Sequence, residues 1–206
     1  MSRPLLVTDC DEVLLHMVSH FAEWLDEEHH VHFDLDSGSF VDALTDRRSG
    51  ETLGKERVWP LLGSFFENQM HRQTLVPGAI EALRRIGEVA DIVILTNVPE
   101  LAHPWRVEQL ATHGIEHEIV CNQGGKGTPL RDLVDRHRPS ATVFVDDLPM
   151  HHQSAAKHAP EVWRLHMIAE PRLTAAVAPA RDAHARIDDW PSACDWILAK
   201  FEEGAP

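Results

Sequence analysis

Short runs of consecutive apolar residues alternate along most of this chain with longer stretches in which apolar residues return every three or four positions. The first kind reads as buried strands and the second as amphipathic helices. Leu5 to Thr8, Ala90 to Leu95, Ile119 to Cys121, Thr142 to Val145 and Val162 to Met167 are the predicted strands. Pro77-Gly78 opens a helix that carries Ile80, Leu83 and Ile86 on one face and ends at Gly87. A second helix runs from His103 to His113, with Pro104 tolerated in its first turn and Gly114 as its stop. Thr128 is a good N-cap and Pro129 a good first residue for a third, which continues to His137. Ser154 to His158 and Pro191 to Phe201 complete the set, and residues 168–186, rich in Ala and Pro, read as irregular connection. Strand and helix in alternation predict a doubly wound α/β fold on a parallel sheet.

One stretch breaks the alternation. From Leu14 to Gln73 the spacing is helical throughout, as in Val18, Phe21, Ala22 and Leu25, and again in Trp59, Leu62, Phe65, Phe66 and Met70. Gly38, Gly50, Gly54 and Pro60 interrupt it. No strong strand is expected there, so the stretch reads as a few helices inserted between two strands.

Composition narrows the function classes. At 206 residues, 43% of them apolar, the chain can bury a real core. A net charge of −14 argues against nucleic acid, whose recognition needs cations, and against an anionic membrane surface. A small anionic substrate stays open, because a local metal ion or lysine can reverse the field inside one pocket. Cys10, Cys121 and Cys194 make an odd set with no close spacing, so neither a disulfide framework nor a zinc knuckle is expected. No signal peptide or membrane-spanning run is expected either, and a reducing cytoplasm is the simplest home.

The strand ends carry the chemistry. Asp9-Cys10-Asp11 follows the first strand, Thr96-Asn97 follows Ile92 to Leu95, Lys126 follows a Gly pair, and Asp146-Asp147 follows Val143 to Val145. Active sites of open α/β sheets lie at the carboxyl ends of strands. Asp9 and Asp11 are two residues apart, so both can face one side while Cys10 points away. Carboxylates converging there raise one another's pKa, and a hard divalent cation such as Mg2+ offsets that cost. Lys126, the Thr96 hydroxyl and backbone amides can hold the oxygens of a phosphoryl group. An aspartate facing that group can attack phosphorus, leaving the second for proton transfer.

With these segments in this order, the chain resembles the haloacid dehalogenase-like (HAD) superfamily. Asp9-Cys10-Asp11 matches the first of its four motifs, Thr96 the second, Lys126 the third and Asp146-Asp147 the fourth. The match covers residues 3–14 and 77–167. The resemblance implies an α/β Rossmannoid core of residues 1–14 and 77–206, with residues 15–76 as a small helical type 1 cap. It implies Asp9 as nucleophile and metal ligand, and Asp11 as the acid that protonates the leaving group and then activates water, its backbone carbonyl binding Mg2+. Thr96, Asn97 and Lys126 would bind the phosphoryl group. Asp147 would be the fourth-motif metal ligand, with Asp146 supporting it or binding directly. Dehalogenases of the superfamily lack an acid at the position of Asp11, so its presence favours phosphate esters. The expected function is Mg2+-dependent hydrolysis of a small phosphorylated metabolite through an aspartyl-phosphate, by a monomer or homodimer. A non-catalytic phosphate- or metabolite-binding protein on the same fold is the alternative.

Two positions depart from the family pattern. Glu12 stands where many relatives have Gly, and His151 where the fourth motif often has a further Asp or Asn. Plainer readings cover other features. Most of the 15 histidines, including the adjacent His151-His152, read as surface or capping residues, and Cys10 as a small buried residue. The aromatics of 59–66 read as cap core, and Arg47, Arg48, Lys55, Arg57 and Arg72 as solvated cap charges. A phosphoacceptor receiver domain is disfavoured because Cys121-Asn122 ends the third strand without an Asp.

Overall fold

A computed structural model describes residues 2–37, 40 and 42–206. In chain order the elements are strands β1 (Leu5–Thr8) and β2 (Leu15–His16), helix α1 (Val18–His29), strands β3 (Val31–Phe33) and β4 (Leu44–Asp46), and helix α2 (Lys55–Asn68). Then come β5 (Thr74–Leu75), α3 (Ala79–Gly87), β6 (Asp91–Thr96), α4 (His103–Thr112), β7 (Glu118–Cys121) and α5 (Gly127–His137). The chain closes with β8 (Thr142–Asp146), α6 (Pro149–His158), β9 (Trp163–His166), α7 (Pro171–Ala176), β10 (Ala185–Arg186) and α8 (Trp190–Glu203).

Six strands form one parallel sheet in the order β10-β9-β8-β1-β6-β7. The chain moves outward from β1 through β6 to β7, then returns to place β8 on the other side of β1. That reversal is the switch point at which doubly wound sheets bind ligands. Alternation along the strands explains the layers. Leu6, Ile92, Ile94, Val143 and Val145 join α3 and α8 residues in one apolar cluster. Their neighbours Leu5, Val7, Val93, Leu95 and Phe144 face the other way, onto Leu130, Leu133 and Ala155 of α5 and α6. A strand buried on both faces must be apolar at every position, which is why these strands read as unbroken runs.

The segment between β1 and α3 builds a third cluster, centred on aromatics. Phe21 has Phe65 at 5.3 Å, Phe40 at 5.9 Å and both Trp24 and Phe33 at 6.1 Å between ring centroids. The segment leaves and re-enters through the antiparallel pair β2 and β5.

Several expectations need correction. The inserted segment is not all helical, because β3 and β4 pair as an antiparallel ribbon. Three-residue strands such as Val31-His32-Phe33 are too short to break a helical reading. Gly38, read as an interruption, lies outside the described residues. Ile80 lies on the flank of α3; the fully packed face is Ala79, Ala82, Leu83 and Ile86. Thr128 does not cap α5, whose N-cap position is Lys126. Helix α6 starts at Pro149, earlier than expected, and residues 168–186 contain α7 and β10. Trp59 is 52% exposed and stacks on Phe40, so it is not core. Arg47, Arg57 and Arg72 pair with acids of the inserted segment itself. No helix among the described residues is long and apolar enough to cross a membrane.

Close packing fixes the loop that carries Lys126. A Cβ on Gly127 would lie 2.1 Å from the Ser154 backbone carbonyl of α6, whereas one on Gly63 in α2 meets nothing within 4 Å. Gly127→Ala should therefore lose about 2 kcal/mol or more, because backbone must move. Gly63→Ala should gain about 0.5–1 kcal/mol from helix propensity. Urea titration of both variants checks this; equal effects would show that the α5–α6 contact is soft.

Candidate active site

Asp9, one residue beyond β1, is placed by a backbone bond across to β8, its N–H donating to the Val145 carbonyl at 2.8 Å. Asp146 ends β8 on the neighbouring strand, where Thr8 is registered with Val145. Thr96 ends β6 on the opposite side of β1. Three adjacent strands thus deliver Asp9, Thr96 and Asp146-Asp147 to one edge of the sheet.

Lys126 reaches this edge from the N-terminus of α5 and is fully buried. Its Nζ lies 2.7 Å from Asp9 Oδ2 and 2.7 Å from Asp146 Oδ2. Asp146 Oδ1 accepts from the Leu148 N–H at 2.9 Å, and Asp9 Oδ1 from the Cys10 N–H at 2.6 Å. Asp9, Asp146 and Asp147 each offer an oxygen within 4.8 Å of the others. The Asp11 carboxylate is outside that group and is engaged by Arg106 and Gln73.

The charges respond as their surroundings require. Burial pushes the Asp9 carboxyl up to about 7; Lys126 opposes the rise, and Asp146 and Asp11 add to it. Burial also raises Asp147 well above the usual carboxylate range, with Asp146 and Asp9 reinforcing it. For Asp146, burial is outweighed chiefly by Lys126, so it is held below the usual range. Lys126 is raised despite burial, because Asp146 and Asp9 face it. With all three carboxylates ionised, the one ammonium leaves two negative charges to be balanced. The all-oxygen donor set and that charge fit a hard divalent cation.

The Thr96 hydroxyl is fully buried and has no hydrogen-bond partner among the described residues. An orphaned hydroxyl of this kind costs free energy unless something else satisfies it. Asn97 is differently employed. Its amide donates to the Gly124 carbonyl at 2.8 Å, lies 3.4 Å from His151 Nε2, and accepts from Asn122 at 2.9 Å. Its side chain braces the Lys126 loop.

Both departures from the family pattern have a physical account. Glu12 has φ +58°, the left-handed conformation that a glycine adopts easily. Its carboxylate accepts from the N–H groups of Met17 and Val18 at 2.7 and 2.6 Å and of Glu170 at 3.1 Å. It therefore caps α1 in place of a residue at the usual cap position. Burial raises its carboxyl to about 7 against those hydrogen bonds. His151 is buried beside the Asn97 amide.

The surface reading is corrected for three histidines, since His152 and His166 are also fully buried, while the others are exposed or half-buried. His152 Nε2 lies 3.0 Å from the Asp146 carbonyl, and His166 Nε2 lies 2.8 Å from that of Asp147. Both rings donate to the main chain of the fourth segment. Desolvation lowers His152 to about 4, so it stays neutral.

Arg106, Gln73 and Gln109 escaped the reading of strand ends. A signal existed: Ala102, Arg106 and Leu110 share one helical stripe, and the two apolar members are buried. A cavity of about 350 Å³ opens between α2 and α4, lined by Phe66, Met70, Trp105 and Gln109 among others, but by none of Asp9, Asp11, Asp146 and Asp147. Asp9 and Asp146 are buried, with Asp9 5% exposed, whereas Asp11 and Asp147 are half-buried.

No protein-family model matches the chain, and no curated protein does. Solved structures do. A haloacid dehalogenase-like hydrolase from Burkholderia xenovorans LB400 is 16% identical, with 98% of this chain and 99% of that one covered at a TM-score of 0.65. The haloacid dehalogenase-like family hydrolase SP0104 from Streptococcus pneumoniae is 12% identical, with 93% and 97% covered and a TM-score of 0.64. The HAD-hydrolase YfnB from Bacillus subtilis, whose structure is bound to magnesium, is 13% identical, with 96% and 99% covered and a TM-score of 0.64. The likeness is one of fold: this chain has the haloacid dehalogenase-like α/β architecture.

A titration follows from the raised Asp9. Its folded pKa of about 7 exceeds the unfolded value of 3.8, so between these the folded state holds a proton that the unfolded state has released. Stability from this group falls as pH rises through that window. In chelator, Asp9→Asn should gain on wild type by roughly 2 kcal/mol between pH 5 and 8, and saturating Mg2+ should flatten the difference. Parallel denaturation curves at both pH values measure it; a difference independent of pH in chelator would contradict the charge assignment.

Proposed function

We propose that this chain, on its haloacid dehalogenase-like fold, is a Mg2+-dependent hydrolase of a small phosphomonoester. The observation that carries the reading is the buried Lys126 ammonium bridging Asp9 and Asp146, with the unpartnered Thr96 hydroxyl on the adjoining strand. Together they offer a nucleophile, a fixed cation and an unsatisfied hydroxyl at the ends of adjacent strands.

Asp9 attacks phosphorus and forms an aspartyl-phosphate, which water then hydrolyses. The Thr96 hydroxyl, the Asn97 N–H and Lys126 hold the phosphoryl oxygens, where charge accumulates in the transition state. Asp11 gives a proton to the leaving oxygen and takes one from the attacking water. Asp9, Asp147 and the Asp11 backbone carbonyl would hold Mg2+, which when bound neutralises the acids and polarises the phosphoryl group. Asp147 is preferred over Asp146 because Asp146 already accepts from Lys126 and Leu148. The inserted segment would close over the ester, exclude water and set specificity. A net charge of −14 supports a small ligand over nucleic acid.

A non-catalytic phosphate- or metabolite-binding protein is the second reading, and the residues that favour it are Glu12 and His151, which stand where the family pattern has Gly and an acid or amide. A panel of phosphorylated metabolites assayed with Mg2+ separates the two. Wild type should turn over at least one ester, chelation should abolish turnover, and Asp9→Asn should lose at least ~10³-fold in kcat. Undiminished rates in chelator would remove the metal from the account, and undiminished rates in Asp9→Asn would remove the nucleophile. Ester binding without turnover would establish the second reading.

A further inference from the structure

Asp11 does not stand free at its strand end. Arg106 Nη2 lies 2.9 Å from its Oδ1 and 2.8 Å from its Oδ2. Gln73, just before β5 on the chain returning from the inserted segment, donates to Oδ1 at 2.7 Å. Arg106 Nη1 donates to Gln109 at 2.9 Å and also reaches Cys10 Sγ at 3.2 Å. Gln109 in turn donates to Gln73 at 3.1 Å and to the Met70 carbonyl. The guanidinium carbon lies 5.7 Å from the centroid of the Phe66 ring. This cluster joins the first strand end, α4 and the return of the inserted segment.

A guanidinium buried this deeply is costly to desolvate unless a carboxylate meets it. Arg106 is fully buried, while the Asp11 side chain keeps 14% of its surface exposed. Each carboxylate oxygen accepts in two directions. Oδ1 has both occupied, by Gln73 and Arg106. Among the described residues Oδ2 accepts from Arg106 alone, which keeps one direction open.

We infer that Arg106 and Gln73 are positioning residues that fix the Asp11 carboxylate so that Oδ2 is the oxygen exchanging protons with the substrate. The inference rests on the phosphatase reading and adds to it which residues orient the acid and which oxygen works. In the first step a bond forms from Asp9 to phosphorus, the ester P–O bond breaks, and the leaving oxygen takes the proton from Asp11 Oδ2. In the second, water oxygen bonds to phosphorus, the Asp9–phosphorus bond breaks, and a proton from water returns to Oδ2. Because Gln73 lies on the return of the inserted segment, the same contacts tie the orientation of the acid to that segment's position.

Leaving-group dependence tests this, since a purely structural role would lower all rates alike. The probes are phenyl phosphate, whose leaving oxygen needs a proton, and 2,4-dinitrophenyl phosphate, whose leaving group does not. With phenyl phosphate and Mg2+, Arg106→Met should lose ~30-fold or more in kcat and Gln73→Met ~5-fold, with KM nearly unchanged. With dinitrophenyl phosphate, the first-turnover release of dinitrophenolate should stay within ~2-fold of wild type, followed by slow turnover as water attack fails. Arg106→Lys, which keeps the charge, should recover part of the phenyl phosphate rate. Arg106→Met strands a buried carboxylate and can fail to fold, in which case Gln73→Met carries the same comparison. Equal losses with both esters in the first turnover would overturn the inference, as would wild-type rates with phenyl phosphate. Loss of folding in both variants would make the cluster a structural strut and also overturn it. A wild-type protein inert toward both esters would overturn the phosphatase reading itself, an outcome visible before any variant is made.

Discussion

One buried ammonium holds the strand ends together. Asp9, just beyond β1, and Asp146, the last residue of β8, lie at the ends of adjacent strands, and two ionised carboxylates packed there repel each other. Lys126 bridges them at 2.7 Å on each side. Much of the architecture serves that contact. The sheet must place β8 beside β1, which it does by reversing direction after β7. The loop before α5 must deliver the lysine, and it is held by Asn97 and Asn122 on Gly124 and by Ser154 on the Gly127 N–H. The fourth segment must keep its main chain fixed, and His152 and His166 donate to it from below.

The second constraint is the connection to the inserted segment. Three consecutive residues after Cys10 divide the task. Asp11 is gripped by Arg106 and Gln73, Glu12 caps α1 and accepts from Glu170, and Val13 accepts from the Trp190 indole of α8 at 2.8 Å. The entry to the segment and the acid beside the nucleophile are thus held by one short stretch of chain. Glu12 does more than a glycine could there, because it keeps the left-handed turn and adds a carboxylate that satisfies two helix N–H groups.

The sheet was legible because strands buried on both faces leave an unmistakable run of apolar residues, ended by the polar residue at the site. β1, β6 and β8 follow that rule, and with them the positions of Asp9, Thr96 and Asp146. β3, β4 and β10 were not legible, because two or three residues carry no period. α7 was hidden by the Ala- and Pro-rich composition around it. The Asp11 cluster was hidden for a different reason. Arg106, Gln73 and Gln109 are far apart in sequence from Asp11 and acquire meaning only when α4 and the returning segment pack against the first strand end. His152 and His166 read as surface residues because their partners are main-chain carbonyls, which leave no trace in the side-chain pattern.

The central claim is that Asp9 is the atom-transferring residue of a phosphatase, and the most direct measurement is to catch the phosphoryl group on it. Wild type with Mg2+ and an activated aryl phosphate would be quenched in acid within the first turnover and mapped by peptide mass spectrometry. The account predicts a transient, hydroxylamine-labile phosphoryl group on Asp9 that decays as phosphate is released. Turnover with no phosphorylated intermediate, or with the phosphoryl group on another residue, would contradict it.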